Sequence, residues 1–173
     1  MAHYCTSILD EHEPFPPLTI SLTDERLRSI PTDLGPGYGI LLLYRGRWCP
    51  HCRRQLVDFQ QHAEALRGRG VAVLAASTDT REDAIAFAQE TGFSFPVGYG
   101  LSARSVARAT GCFFDAHSGS LHPAGFILTP RGEVALAAYS TGDIGRLGAA
   151  DCLLCINTWR ENGPRTPITP PAP

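Results

Sequence analysis

The sequence predicts an α/β fold, a mixed β-sheet flanked by helices and ended by an antiparallel hairpin. Three observations predict it. Residues 40–44 and 71–76 are short continuous apolar runs flanked by Gly or polar residues, as strands covered on both faces are. Between and after them, apolar residues recur every three or four positions, the period of a helix packed along one stripe. That strand–helix–strand–helix order requires parallel strands with right-handed crossovers. Later, residues 124–129 and 134–139 flank Pro130-Arg-Gly-Glu133 and read as a hairpin.

The elements follow in order. Residues 1–17 are polar and Pro-rich, without a period, and are expected to form a loosely packed N-terminal arm that holds Cys5. Residues 18–22 alternate as an edge strand. Residues 24–30 read as a helical turn or two, and 33–39 as a loop. After strand 40–44 a helix is expected from Cys49. Pro50 suits its first turn, where the missing N–H has no intrahelical partner. Cys52, Leu56, Phe59, Ala63 and Leu66 form one stripe that runs to the break at Gly68-Arg-Gly70.

Strand 71–76 leads to Thr80, with Asp83 three residues on in a capping-box-like position. Ile85, Ala88 and Gln89 outline the next helix, Phe87 is set toward another face, and Gly92 ends it. Residues 93–97 read as a short strand with Pro96 at its edge. A helix over 102–110 closes at Gly111, and a loop covers 117–120. The last helix spans about 149–160. The chain divides into an arm (1–17), one α/β domain (18–162) and a Pro-rich tail (163–173).

A chain of 173 residues is long enough for one domain with a sizeable core. Net charge is −2, and all fifteen basic residues are Arg, so nothing marks nucleic acid or an anionic membrane as a partner. The N-terminus has no basic stretch followed by a long apolar run. No signal peptide or membrane span is expected, and a cytoplasmic location follows. The six cysteines are Cys5, Cys49, Cys52, Cys112, Cys152 and Cys155. In a reducing compartment, a Cys-x-x-Cys beside this patterning favours catalysis over a disulfide scaffold.

The chemistry is expected at Cys49 and Cys52. Helical periodicity turns Cys52 toward the core and leaves Cys49 at an exposed tip. There the free N–H groups of the helix start stabilise a thiolate. Arg45, Arg47, Arg53, Arg54 and His51 add positive potential, and Trp48 covers the rim. Cys52 lies within disulfide reach. The expectation is a lowered pKa for Cys49, attack by its thiolate and resolution by Cys52. The competing readings are an inert buried pair or a zinc site, the latter disfavoured because Cys152 and Cys155 are about a hundred residues away. Cys152, Cys155, Ile156 and Trp159 share a helical stripe and read as core. Cys112 packs, or else serves as a distant resolving cysteine. His117 and His122 read as loop polarity rather than metal ligands.

Trp48-Cys-Pro-His-Cys52 after an apolar strand resembles the thioredoxin-fold redox motif, with the Pro-His pair of DsbA-type oxidants. The longer string Tyr44-Arg-Gly-Arg-Trp-Cys-Pro-His-Cys-Arg-Arg-Gln-Leu56 resembles the peroxiredoxin-like branch of the AhpC/TSA (redoxin) family, over about residues 18–159. The resemblance implies a thioredoxin-like fold and a thiol–disulfide oxidoreductase. The alternatives are a thiol-dependent peroxidase working through sulfenic acid, or a non-enzymatic redox-sensing module. No cofactor is implied, since the dithiol holds the electrons. Trp48, Arg47, His51 and Pro123 are the implied substrate-binding residues, with His122–Pro123 expected as a cis peptide facing Cys49. The partners are protein or low-molecular-weight thiols and disulfides, peroxide, and a second copy of the chain as a homodimer.

Two departures accompany the likeness. In ungapped alignment on Tyr44, Cys52 takes the peroxidatic position of true peroxiredoxins and Cys49 that of their Thr or Ser. Arg45 replaces the motif proline, and Pro123 stands where a later Arg is expected. Leu43 occupies the place of the buried acid of many thioredoxins, leaving Cys52 without a carboxylate to take its proton.

Overall fold

The computed structural model describes the backbone of residues 2–3 and all of residues 8–163. Cys5 and residues 164–173 of the expected tail lie outside the described residues. The strands are β1 (Ala2–His3), β2 (Leu18–Leu22), β3 (Leu27–Ile30), β4 (Gly39–Leu43), β5 (Ala72–Ala76), β6 (Val97–Tyr99), β7 (Phe114–Asp115), β8 (Ser120–Leu121), β9 (Ala124–Leu128) and β10 (Val134–Tyr139). The helices are α1 (Pro50–Gln61), α2 (Ala63–Gly68), α3 (Arg81–Thr91), α4 (Ala103–Thr110) and α5 (Ala149–Asn162).

Seven strands form a mixed sheet in the order β10-β9-β4-β5-β6-β2-β3. β4, β5 and β6 are parallel, and β9 and β10 return antiparallel. A small second sheet has the order β1-β7-β8. The continuous apolar run in β4 follows from cover on both faces. Ile40, Leu42 and Tyr44 pack under α1, α3 and α5, while Leu41 and Leu43 pack with α4 residues Val106 and Ala107. A strand's period of two sends alternate side chains to opposite cores.

The sequence expectations for the elements need six corrections. Residues 18–22, expected as an edge strand, form β2 inside the sheet, paired with β3 on one side and β6 on the other. Residues 24–30 turn back as a hairpin into β3, closed by Leu22 N–H to Arg26 O (2.9 Å) around Glu25 at φ 70°. The expected strand 93–97 is displaced to β6, because Pro96 offers no N–H to a ladder. Its carbonyl accepts Ala75 N–H, and Phe93 stacks on Phe95 instead. The long helix after Cys49 breaks at His62, whose ring Nδ1 lies 2.8 Å from the Asp58 carbonyl. In α3 the buried face is Ala84 and Phe87, not the stripe through Ile85 and Ala88. The described part of the arm is fastened: His12 N–H bonds Val134 O, Val134 N–H bonds Glu13 O, and Phe15 is buried edge-on against Phe126.

Candidate active site

Cys49 is the residue that caps α1. Its backbone is extended, and its Sγ accepts the N–H of Cys52 at 3.3 Å. Pro50 follows in the first helical position, as the sequence requires. The preceding turn is closed by Cys49 N–H to Gly46 O (3.1 Å). Gly46 has φ 151°, and a Cβ there would stand 2.6 Å from Trp48 Nε1 and 2.7 Å from Asp79 Oδ1. Only glycine admits this turn. Asp79, three residues beyond the end of β5, holds the turn by accepting Arg47 N–H (2.8 Å), and is itself held by the Ser77 hydroxyl (2.9 Å). Burial pushes the Asp79 carboxyl up from its ordinary range.

Cys49 and Cys52 are both free and approach to 2.8 Å. The expected exposed tip is not observed: Cys49 is only 1% exposed and Cys52 0%. The cover is a side chain that sequence reading missed. Arg146, in the loop before α5, places its Nη2 3.2 Å from Cys52 Sγ and 3.6 Å from Cys49 Sγ. Its Nε bonds the His51 carbonyl at 3.4 Å. Gln55 Nε2 holds Leu147 O at 3.0 Å, and Asp58 accepts Ala149 N–H at 2.8 Å, so α1 itself seats this loop. Gly125 completes the seat, since a Cβ there would meet Leu147 Cδ1 at 2.7 Å.

The two thiols are driven apart in acidity. Burial pushes Cys49 up, but hydrogen bonds from Cys52 and Arg146 outweigh it and hold the thiol below its ordinary value. Burial pushes Cys52 up to about 12, and its hydrogen bond to Cys49 pushes the same way. Cys49 is therefore the group that ionises first, with Cys52 holding a proton beside it.

The other predicted residues are distributed unevenly. Trp48 is 58% exposed at the rim, with the Arg45 guanidinium 4.6 Å over its ring. His51 lies between the cysteines, and its ring approaches Arg54 at 3.5 Å. Arg47 turns away: its guanidinium pairs with Asp83 (3.1 Å) and Glu90 (2.5 Å) of α3. Arg53 also pairs with Glu90 (3.0 Å), and Arg45 pairs with Asp143 while its backbone N–H reaches Cys52 Sγ at 3.4 Å. Pro123 precedes β9, whose Ala124 pairs with Leu43, so it stands beside the site end of β4. The expected cis bond is absent; Ile30–Pro31 is cis instead. In this trans setting the Pro123 carbonyl accepts Ser140 N–H (3.0 Å).

Cys112 and Cys152 are buried, and burial pushes each up to about 12. Among the described residues no three His, Cys, Asp or Glu side chains group as a metal site. No helix among them is long and apolar enough to cross a membrane.

An interior strand, a glycine turn and a cysteine at a helix start, with a second cysteine one turn on, define a thiol-dependent redox protein of thioredoxin-like architecture. Within that class the chain belongs to the AhpC/TSA family, whose model matches residues 13–137. Its fold is similar to that of a peroxidoxin, BcpB, from Mycobacterium tuberculosis, with TM-score 0.75, 15% identity, and 87% of this chain and 97% of that chain covered. A peroxiredoxin-like protein from Aquifex aeolicus gives 0.76, 16%, 91% and 91%. AhpC from Enterococcus faecalis gives 0.73, 21%, 93% and 99%. No curated protein sequence matches the chain.

Proposed function

We propose that this protein is a thiol–disulfide oxidoreductase in which Cys49 attacks and Cys52 resolves. The observation that carries the reading is the Cys49 sulfur, held at a helix start by the Cys52 N–H and covered by the Arg146 guanidinium. As a thiolate it attacks one sulfur of a disulfide, and the other leaves as a thiolate. Cys49 is then a neutral mixed disulfide, so it no longer holds the Cys52 proton in place. Arg146, nearer Cys52 than Cys49, favours the thiolate of Cys52 in turn. The first departing thiolate takes up the Cys52 proton; the Cys52 thiolate then attacks Cys49, the second thiolate leaves, and the pair ends as a disulfide. Two electrons have passed to the substrate. Trp48, His51 and Pro123 border the path to the sulfurs; Arg47 supports the site by tying its loop to α3.

The second reading is a thiol-dependent peroxidase. Near-complete cover of both sulfurs favours it, since hydrogen peroxide needs less clearance than a protein disulfide. In that case the Cys49 thiolate attacks one peroxide oxygen, the O–O bond breaks and hydroxide leaves; Cys49 becomes sulfenic acid, and the Cys52 thiol condenses with it to the disulfide, releasing water. In either reading the protein works in the cytoplasm with thiols as electron donors, and a homodimer is compatible with it.

Parallel assays of hydroxyethyl disulfide reduction and hydrogen peroxide consumption separate the two. Disulfide turnover that exceeds peroxide turnover, and that is abolished in Cys49→Ser, is the expected result. In Cys52→Ser the mixed disulfide on Cys49 accumulates and is seen by mass. Peroxide turnover without disulfide exchange selects the peroxidase, and activity retained in Cys49→Ser overturns both.

A further inference from the structure

Beside the sulfur pair lies an open groove of about 420 Å³, walled by α1, the Arg146 loop and the first turn of α5. That volume is of the size that takes a small molecule. His51, Arg54 and Gln55 of α1 line it together with Arg146. Arg146 faces both the groove and the sulfurs. Its Nη2 is committed to the thiols and its Nε to the His51 carbonyl, but its Nη1 is fully buried with no acceptor. A buried cationic N–H without an acceptor is unfavourable, so the guanidinium gains when an anion in the groove draws that nitrogen out of its buried position.

The remaining charges narrow the ligand. Arg54 is exposed at the mouth and reaches only the His51 ring. Asp58 is already engaged by Ala149 N–H and by His62 at 3.2 Å. Asp151, in the first turn of α5, lines the same groove and adds a negative charge. A multiply charged phosphate meets that carboxylate unfavourably. A carboxylate flanked by an ammonium does not: the carboxylate faces Arg54 and Arg146, and the ammonium faces Asp151.

Resting on the oxidoreductase reading, we infer that this groove binds the amino-acid end of a low-molecular-weight disulfide, whose sulfurs then meet Cys49. An incoming carboxylate draws Arg146 toward the groove and uncovers the sulfurs. The sealed pair thereby opens to a small acidic thiol compound in preference to a folded protein. The chemistry stays balanced: one disulfide and the dithiol give two thiols and the Cys49–Cys52 disulfide.

The test compares oxidised glutathione with the uncharged hydroxyethyl disulfide and the dicationic cystamine. Glutathione is expected to have the highest kcat/KM, cystamine the lowest, and the glutathione preference to shrink in high salt. Arg54→Gln is expected to cut the ratio of the glutathione to the hydroxyethyl disulfide rate about tenfold. Equal rates for the three compounds, or an unchanged ratio in Arg54→Gln, overturn the inference while leaving the oxidoreductase reading intact. Calorimetry with the unreactive S-methylglutathione tests the groove apart from the chemistry. Binding that weakens in Arg54→Gln supports it even if no disulfide is turned over, and no binding overturns it even if all are.

Discussion

Arg146 sets the state of both sulfurs from a position 97 residues away from Cys49. A charge-assisted hydrogen bond to a thiolate is worth roughly 1.5 kcal/mol, about tenfold in an equilibrium. Arg146→Gln is therefore expected to lower the thiolate fraction of Cys49 at pH 6.5, read as the alkylation rate relative to its high-pH plateau, by about tenfold, while the plateau rate itself rises because the cover is gone. The pH at which alkylation reaches half its plateau should move upward. An unchanged alkylation profile removes Arg146 from the activation of Cys49. At this scale the cysteine pair is legible in the sequence, because a helix-start cysteine and its partner one turn on are local features. Arg146 is not legible. Four arginines within five residues of the pair give the stronger charge signal, yet Arg47 and Arg53 turn to α3 and Arg45 to Asp143.

Among elements, α1 carries most of the site. Leu56 and Phe59 are fully buried on the stripe the sequence predicts, and they hold the helix against β4. Leu56→Ala is expected to cost about 3 kcal/mol, through lost burial and the cavity left behind. Thr80→Ala, which removes the cap on Asp83 N–H (3.2 Å) and the hydroxyl's bond to the exposed Asp83 carboxylate (3.3 Å), should cost about 1 kcal/mol. Urea unfolding of the two variants measures both, and a cap loss that matches the core loss contradicts this ordering. Elements with local signals match the sequence reading: α3 between Thr80 and Gly92, α4 between Ser102 and Gly111, and the β9–β10 hairpin. Those set by pairing do not. Residues 27–30 become a strand only because β2 offers an edge to them.

Across the described molecule, burial keeps the thiols of Cys52, Cys112 and Cys152 protonated. Burial pushes Cys52, Cys112 and Cys152 from 9.0 up to about 12 each. Their folded values exceed the unfolded ones, so the stability linked to them is complete below about pH 9. It is lost as pH rises toward 12, at roughly 1.4 kcal/mol per pH unit for each thiol. Cys49 runs the other way: its depressed value gives stability that is present above its unfolded value and lost as pH falls through its folded value. Urea midpoints should therefore fall steeply between pH 9 and 11, and less steeply in Cys112→Ala/Cys152→Ala. A flat alkaline profile contradicts the burial of these sulfurs.

By itself the sequence determined the α/β layering and the strand–turn–helix that carries Cys49 and Cys52. Those follow from apolar period, proline and glycine placement, and spacing, which act over a few residues. Tertiary structure alone decided that both sulfurs are covered, that Arg146 covers them, and that a groove opens beside them. The reason is that β9 and β10 return beside β4, and the loop after β10 then falls across the start of α1. Such a meeting depends on sheet order and register, which no local spacing encodes.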